Sequence, residues 1–240
     1  MPERVPEGGP PGRTAGGDED ATALRARLDD GLARLGGPAA ALDELARERL
    51  VRFVRLLEKW NRVHNLTAVR TAHEMIGRHV LDSLALLPWM PAATAAPGAD
   101  RTVVDLLDIG SGGGLPVLPL AVARPALACL SVDSVGKKIG FQRQAVLELG
   151  LDGVEARHAR IEAVDATARV VVSRAFAAPE DFLRVAARHL GPGGGTALVM
   201  LGQRERLPGT LPAPFALDAV HPLEIPFASG ARHVAVCHIP

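Results

Sequence analysis

The 240-residue sequence contains no tyrosine, and aromatic residues make up only 3% of it. Stacking on a flat ligand therefore falls to phenylalanine, tryptophan, histidine or arginine. There are two cysteines, Cys129 and Cys237, each inside an apolar run. Two such residues exclude a disulfide framework and read as buried thiols, which predicts a reducing, cytoplasmic setting. Charge of neither sign is in excess: 27 Lys and Arg stand against 27 Asp and Glu. This argues against an indiscriminate polyanion binder but leaves room for a local basic face. No apolar h-region marks the N-terminus, and the longest clean apolar run, residues 115–123, is too short to span a bilayer. A soluble protein with no membrane partner is expected. The eight histidines show no ligand spacing; His233 and His238 flank a strand-like run on opposite faces, so no metal is expected. Internal repeats are absent as well.

What is present concentrates in one stretch, Val103-Val104-Asp105-Leu106-Leu107-Asp108-Ile109-Gly110-Ser111-Gly112-Gly113-Gly114-Leu115. An apolar run leading into a glycine cluster reads as a buried parallel strand whose loop brings backbone close to a ligand. A second apolar run, residues 127–132, ends in Asp133. Glycines after one strand and a carboxylate at the tip of the next form a nucleoside cradle, with amides below and an acceptor for ribose hydroxyls beside them. The dinucleotide fingerprint is G-x-G-x-x-G, whereas Gly110, Gly112 and Gly114 form G-x-G-x-G and Leu115 stands at the last fingerprint position. This loop suits a cofactor without a pyrophosphate, of which S-adenosyl-L-methionine is the common one; a nicotinamide cofactor is the alternative.

The length fits one α/β domain with an appendage. Residues 1–20 hold four Pro and five Gly and are expected to form a disordered tail. Residues 21–100 read as an N-terminal helical region. Leu24, Leu28, Leu32 and Leu35 mark a helix over 21–35, Leu50 to Trp60 a second, and residues 73–87 a third, before a linker at 91–100. From 101 to 240 strand and helix alternate. Strands are expected at 103–109, 127–133, 154–158, 170–173 and 196–201, with helices at 117–123, 136–149 and 179–190. Two strand-like pieces, 215–220 and 232–238, close the series without an intervening helix, the order expected of a Rossmann-like methyltransferase.

Further motifs follow one another along the chain: Trp60-Asn61, Asn65-Leu66-Thr67, Arg78-His79-Val80-Leu81-Asp82-Ser83, Asp108 to Pro116, Asp133-Ser134 with Gly136-Lys137-Lys138, and Ser173-Arg174-Ala175-Phe176-Ala177. With them the chain resembles the RsmG (GidB) family of bacterial ribosomal RNA methyltransferases over residues 50–202, with a further trace at Arg232-His233-Val234. The glycine loop is generic to class I methyltransferases; R-H-x-x-D-S and S-R-A-F-A are the specific elements. The resemblance implies an α/β, Rossmann-like class I sheet with an N-terminal helical extension. It also implies S-adenosyl-L-methionine as cofactor and methylation of N7 of a guanine in 16S ribosomal RNA. The partner would be that RNA or the small-subunit particle, with no obligate protein partner evident.

Position by position, the resemblance implies cofactor contacts at Gly110, Leu115, Ile161, Glu162 and Arg174. The reading of the residues adds Gly112, Gly114 and Asp133. Arg174 has a structural alternative, a pair with Glu162 or Asp108. Guanine N7 carries a free lone pair, so catalysis can rest on positioning and no catalytic base is named. Asn65, Arg78, His79, Asp82 and Ser83 are candidates for touching RNA or closing the pocket; for the last four, a helix-surface network holding the two domains together is the alternative.

Between Arg47 and His79 eight Arg or Lys stand against three Glu. With Lys137, Lys138 and Arg143 they are candidates for a phosphate-facing rim, a solvated helix face being the alternative. The chain departs from the family pattern at Val117-Leu118, which replace Gly-Ile, and at His64, where an aromatic is common. In Met200-Leu201-Gly202 a lysine is missing. These departures keep two rival functions in view: a divergent methyltransferase acting on another RNA or a small molecule, and a noncatalytic, cofactor-sensing RNA-binding module.

Overall fold

The computed structural model describes residues 15–93, 102–174, 178–191, 193–202 and 207–240. The expected tail up to residue 14, and the expected linker from residue 94, lie outside the described residues.

Helix α1 (Ala15–Leu35) buries Leu24, Leu28 and Leu32 completely, one face of a 3.6-residue repeat. It ends at Gly36, whose φ of 71° places it in the left-handed region glycine tolerates. A single turn, α2 (Gly37–Ala40), leads to α3 (Glu44–His64). Asp43 caps α3 by accepting from the Ala46 N–H at 2.8 Å, and Asn65 closes it in the left-handed conformation. Leu50, Phe53, Val54 and Leu57 are fully buried on its inner face. Burying such a side chain contributes about 1.5–3 kcal/mol.

The helix expected over residues 73–87 is broken into pieces. Helix α4 (Ala72–Met75) passes into a π-helical turn (Ile76–Leu81), then α5 (Asp82–Leu84) and a 3₁₀ turn (Leu87–Trp89). Hydrophobic periodicity is blind to a π turn, which widens the helix locally and re-aims the residues on it. Gly77 lies within this turn, flush against the loop at Pro226 and Phe227; a β-carbon there would stand 2.9 Å from the Pro226 carbonyl oxygen. Phe227 is in turn covered by the Arg27 guanidinium, 4.0 Å from its ring centre.

Seven strands form one sheet in the order β3-β2-β1-β4-β5-β7-β6. They are β1 (Val103–Ile109), β2 (Cys129–Asp133), β3 (Val154–His158), β4 (Thr167–Ser173), β5 (Gly195–Leu201), β6 (Ala216–Pro222) and β7 (His233–Ile239). The first five run parallel, and β7 enters antiparallel between β5 and β6, so the closing hairpin is present as expected. Helices α6 (Val117–Ala123), α7 (Gly136–Leu149) and α8 (Pro179–Ala186) complete the layers. One core joins α1, α3, α6 and α7 to the sheet through Leu106, Cys129 and Val172. The other packs Phe182, Leu183 and Ala186 of α8 on Leu107, Val171 and Ala197. The N-terminal helices therefore share their core with the sheet. The carboxyl ends of β1, β2, β3 and β4 lie side by side, with Ile109 opposite Val132, Asp133 opposite His158 and Asp108 opposite Val172. Ligands of open α/β sheets bind at that edge.

Candidate functional site

At the end of β1 the chain turns through Gly110 (φ 70°), Gly112 (φ 60°) and Gly114 (φ 75°), all left-handed. Only glycine adopts this conformation without strain. The three differ in what surrounds them. A β-carbon at Gly110 or Gly112 would meet nothing within 4 Å, whereas one at Gly114 would collide with the Leu118 side chain. The first two are open on their outer side; the third is a packing position. Leu115 is 3% exposed and belongs to the core.

Asp133 ties the tip of β2 to this loop. Its Oδ2 accepts from the Gly112 N–H at 2.9 Å and its Oδ1 from the Val135 N–H at 2.8 Å, with Lys138 Nζ 3.5 Å away. Each carboxylate oxygen keeps a further lone pair for a ligand hydroxyl. Beneath the loop lies a buried polar network that the sequence reading missed. Gln142 Nε2 donates to the Gly112 carbonyl and to Ser111 Oγ, both at 2.8 Å, and Ser131 Oγ reaches Ser111 Oγ at 2.7 Å. A polar residue among Ile139, Phe141 and Ala145 on the buried face of α7 is the signal that marks it.

Gly110, Asp133, Lys138, Ile161 and Glu162 line one cavity of about 460 Å³. Four of the eight sequence-predicted cofactor positions thus meet; Gly112, Gly114 and Leu115 do not line it, and Lys137 is exposed outside it. Arg174 belongs to a second cavity of about 410 Å³, with Thr67, Arg78, His79, Asp82 and Arg232. There its Nη1 donates to the Arg78 carbonyl at 3.1 Å, lies 3.1 Å from His79 Nδ1, and pairs with Asp82 Oδ2 at 3.5 Å. Its acidic partner is therefore Asp82, where the sequence suggested Glu162 or Asp108.

Burial dominates the electrostatics of this second cavity. It pushes the His79 imidazole down to about 3, helped by the neighbouring Arg174 charge, so the ring is neutral near pH 7. His79 Nε2 stands 2.8 Å from Thr67 Oγ1 and its Nδ1 2.8 Å from the Arg78 carbonyl oxygen. Burial raises the Asp82 carboxyl, opposed by Arg174 and Arg232. Asp108, wholly buried and among the described residues accepting only from the Val117 N–H at 3.1 Å, is pushed well above the carboxylate range by burial.

Two further candidates also fall outside both cavities. Ser83 is fully buried and its hydroxyl donates to the His79 carbonyl at 2.6 Å, a bond within its own helix that withdraws it from any ligand. Asn65 is exposed and accepts from Arg70 Nη1 at 2.9 Å. Thr67 and Arg232 line the second cavity although the sequence does not single them out as site residues.

The basic rim divides too. Arg47 is held by Asp29 and the Ala40 and Leu42 carbonyls, and Arg143 by the Ala156 carbonyl. Arg52, Arg55, Lys59 and Arg62 line a groove of about 870 Å³ along α3, interleaved with Glu48, Glu58 and Glu148. Among the described residues no helix is long and apolar enough to cross a membrane, and no group of His, Cys, Asp and Glu has the makings of a metal site.

The strand order, the glycine loop and the acid at the tip of β2 define a Rossmann-like class I methyltransferase domain. TrmN from Thermus thermophilus shares the fold, with a TM-score of 0.52 and 21% identity over 69% of this chain and 53% of that one. The GidB family model, described as rRNA small subunit methyltransferase G, matches residues 46–234, and the chain belongs to that family. The ribosomal RNA small subunit methyltransferase G of Azoarcus sp. (strain BH72) is 42% identical over 90% of this chain and 96% of its own length. That of Neisseria gonorrhoeae (strain NCCP11945) is 40% identical over 88% and 96%.

Proposed function

We propose that this protein is a cytoplasmic enzyme that methylates N7 of a guanine in 16S ribosomal RNA, with S-adenosyl-L-methionine as methyl donor. The observation that carries the reading is the unobstructed face over Gly110 and Gly112 beside the Asp133 carboxylate. There the backbone can be approached closely, and an acceptor with spare lone pairs stands ready for a ribose. The residues present fit the cofactor: Gly110, Asp133, Ile161 and Glu162 would hold its adenosine, and Arg174 carries the charge to hold its carboxylate. When bound, the cofactor supplies an electrophilic methyl group on a positively charged sulfur.

The chain's own work is placement. Guanine N7 needs no deprotonation, so no side chain has to take a proton at the moment of transfer. Holding the base in line and excluding water is enough. A neutral His79 agrees with this: at pH 7 it orients Thr67 and Arg174 without carrying charge. Arg55 and Lys59, exposed on α3, are placed to meet RNA phosphates.

The test is methyl transfer by the purified protein to small ribosomal subunits that lack the modification, with the product nucleoside identified. Label at guanine N7 of 16S RNA is expected. Label on another nucleotide or molecule points to the divergent reading. Cofactor uptake without turnover points to the noncatalytic one.

A further inference from the structure

Asp82 is 4% exposed, yet its carboxylate faces the 410 Å³ cavity. Its Oδ1 accepts no hydrogen bond among the described residues. Arg174 Nη1 makes a long hydrogen bond to Oδ2 at 3.5 Å, and Arg232 Nε stands 3.5 Å from Oδ1 without bonding to it. A buried carboxylate with an empty acceptor position is costly unless something outside the chain fills it. Burial raises the carboxyl and the two guanidiniums oppose it; with a cation beside each oxygen, a donor suits the open position on Oδ1.

The shape of the cavity says what kind of donor. Its volume lies within the range of small-ligand pockets, about 300–1,000 Å³, and suits one nucleotide rather than a duplex. Ala68, Val69, Met200 and Leu223 offer apolar surface for the faces of a flat base. With Arg174 given to the cofactor, Arg78 and Arg232 still outnumber Asp82, an excess of positive charge that suits the phosphate entering with a base.

We propose that Asp82 reads the Watson–Crick edge of the target guanine, its carboxylate accepting from N1–H and from the N2 amino group. This rests on the guanine-methylation reading above. Guanine is the one common base that presents two adjacent donors on that edge, matching the two oxygens of a carboxylate. Adenine places an acceptor at N1 and would leave Asp82 unpaired and repelled, which is how a buried hydrogen-bonding site rejects the wrong ligand. Guanine N7 lies on the opposite side of the ring system, so a base held this way keeps its nucleophilic lone pair unencumbered. Enzymes acting on single bases commonly read that same edge of an extruded nucleotide.

The experiment compares small subunits reconstituted with 16S RNA carrying guanine or inosine at the target position. Inosine keeps N7 and N1–H but lacks the N2 amino group. The wild-type protein should methylate inosine roughly 10- to 100-fold more slowly, the effect of one hydrogen bond to a charged acceptor. Asp82→Asn should lose a similar factor on guanine, discriminate less than about threefold between the two bases, and keep its affinity for S-adenosylhomocysteine. Equal rates on both bases with the wild-type protein overturn the proposal, whatever the variant does. So does a loss of S-adenosylhomocysteine affinity in Asp82→Asn as large as its loss of transfer, which assigns the carboxylate to the cofactor. Failure of the wild-type protein to label the guanine particle is a different result: it removes the function itself and this inference with it.

Discussion

The two cavities at the edge of the sheet are built from different materials. The glycine-loop cavity is built on backbone and the Asp133 carboxylate, with Lys138, Arg160 and Glu162 also lining it: Asp133 is bonded to two main-chain N–H groups, and Gln142 and Ser131 support the loop from below. The loop and its acid are paired before any ligand arrives. The arginine cavity is made of long side chains around a carboxylate with an unfilled acceptor position, and His79 in it is held neutral. A paired, rigid site suits a ligand that never varies. A site with unmet demands suits one that must be told apart from its relatives, because only the right partner meets those demands.

The largest effect should come from the rigid cavity. Asp133→Ala leaves the Gly112 and Val135 N–H groups without their acceptor; S-adenosylhomocysteine affinity measured by calorimetry should fall roughly 100-fold and stability by about 2–3 kcal/mol. Affinity close to wild type would break the contrast between the cavities.

A matched pair of glycine variants sharpens it. Both replacements strain a left-handed position by about 1–2 kcal/mol. Gly114→Ala also drives a methyl into Leu118, adding about 1–3 kcal/mol of overpacking, so it should lower the melting temperature more. Gly110→Ala, whose methyl enters the open side, should lose about tenfold in cofactor affinity instead, near 1.4 kcal/mol. The reverse ranking would mean that the open face is not the ligand side.

In the arginine cavity, His79→Ala should reduce RNA methylation by about tenfold while changing S-adenosylhomocysteine affinity little. Equal losses of both, with a lower melting temperature, would make His79 a structural strut. His79 also predicts a pH effect. Its folded-state value of about 3 lies below the 6.5 of an unfolded histidine, so between those values the unfolded chain binds a proton that the folded chain does not. Stability contributed at this position therefore falls as pH drops through that window. His79→Gln should show a flatter acid-unfolding curve there.

The smallest effect belongs to the α3 face. Replacing Arg55 or Lys59 by Ala should lower the salt dependence of RNA binding by about 0.7 in log–log slope for each phosphate that is no longer neutralised. An unchanged slope would return those residues to ordinary solvated surface.

The rigid cavity was the more legible of the two in the sequence. Buried parallel strands read as apolar runs, and the glycines and Asp133 sit where those runs end, so local pattern places the loop and the acid together. The arginine cavity depends on long-range pairings that no local pattern contains. Asp82 and Arg174 are separated by 92 positions, and Arg232 arrives on the hairpin that closes the sheet. The π turn at Ile76–Leu81 hides inside what reads as one helix, and Ser83, in the same motif as His79, turns out to face its own backbone. Gly114 looked identical to Gly110 as a letter and differs only in what stands beside it.

The segment that seats Pro226 and Phe227 against Gly77 also carries Leu223 and Arg232, part of one wall of the arginine cavity. During synthesis that wall is missing until the segment around residue 226 has emerged and β7 has inserted between β5 and β6. On the function proposed above, a nascent chain without that wall cannot yet grip a base. The capacity to choose a nucleotide then waits on a part of the chain that leaves the ribosome late.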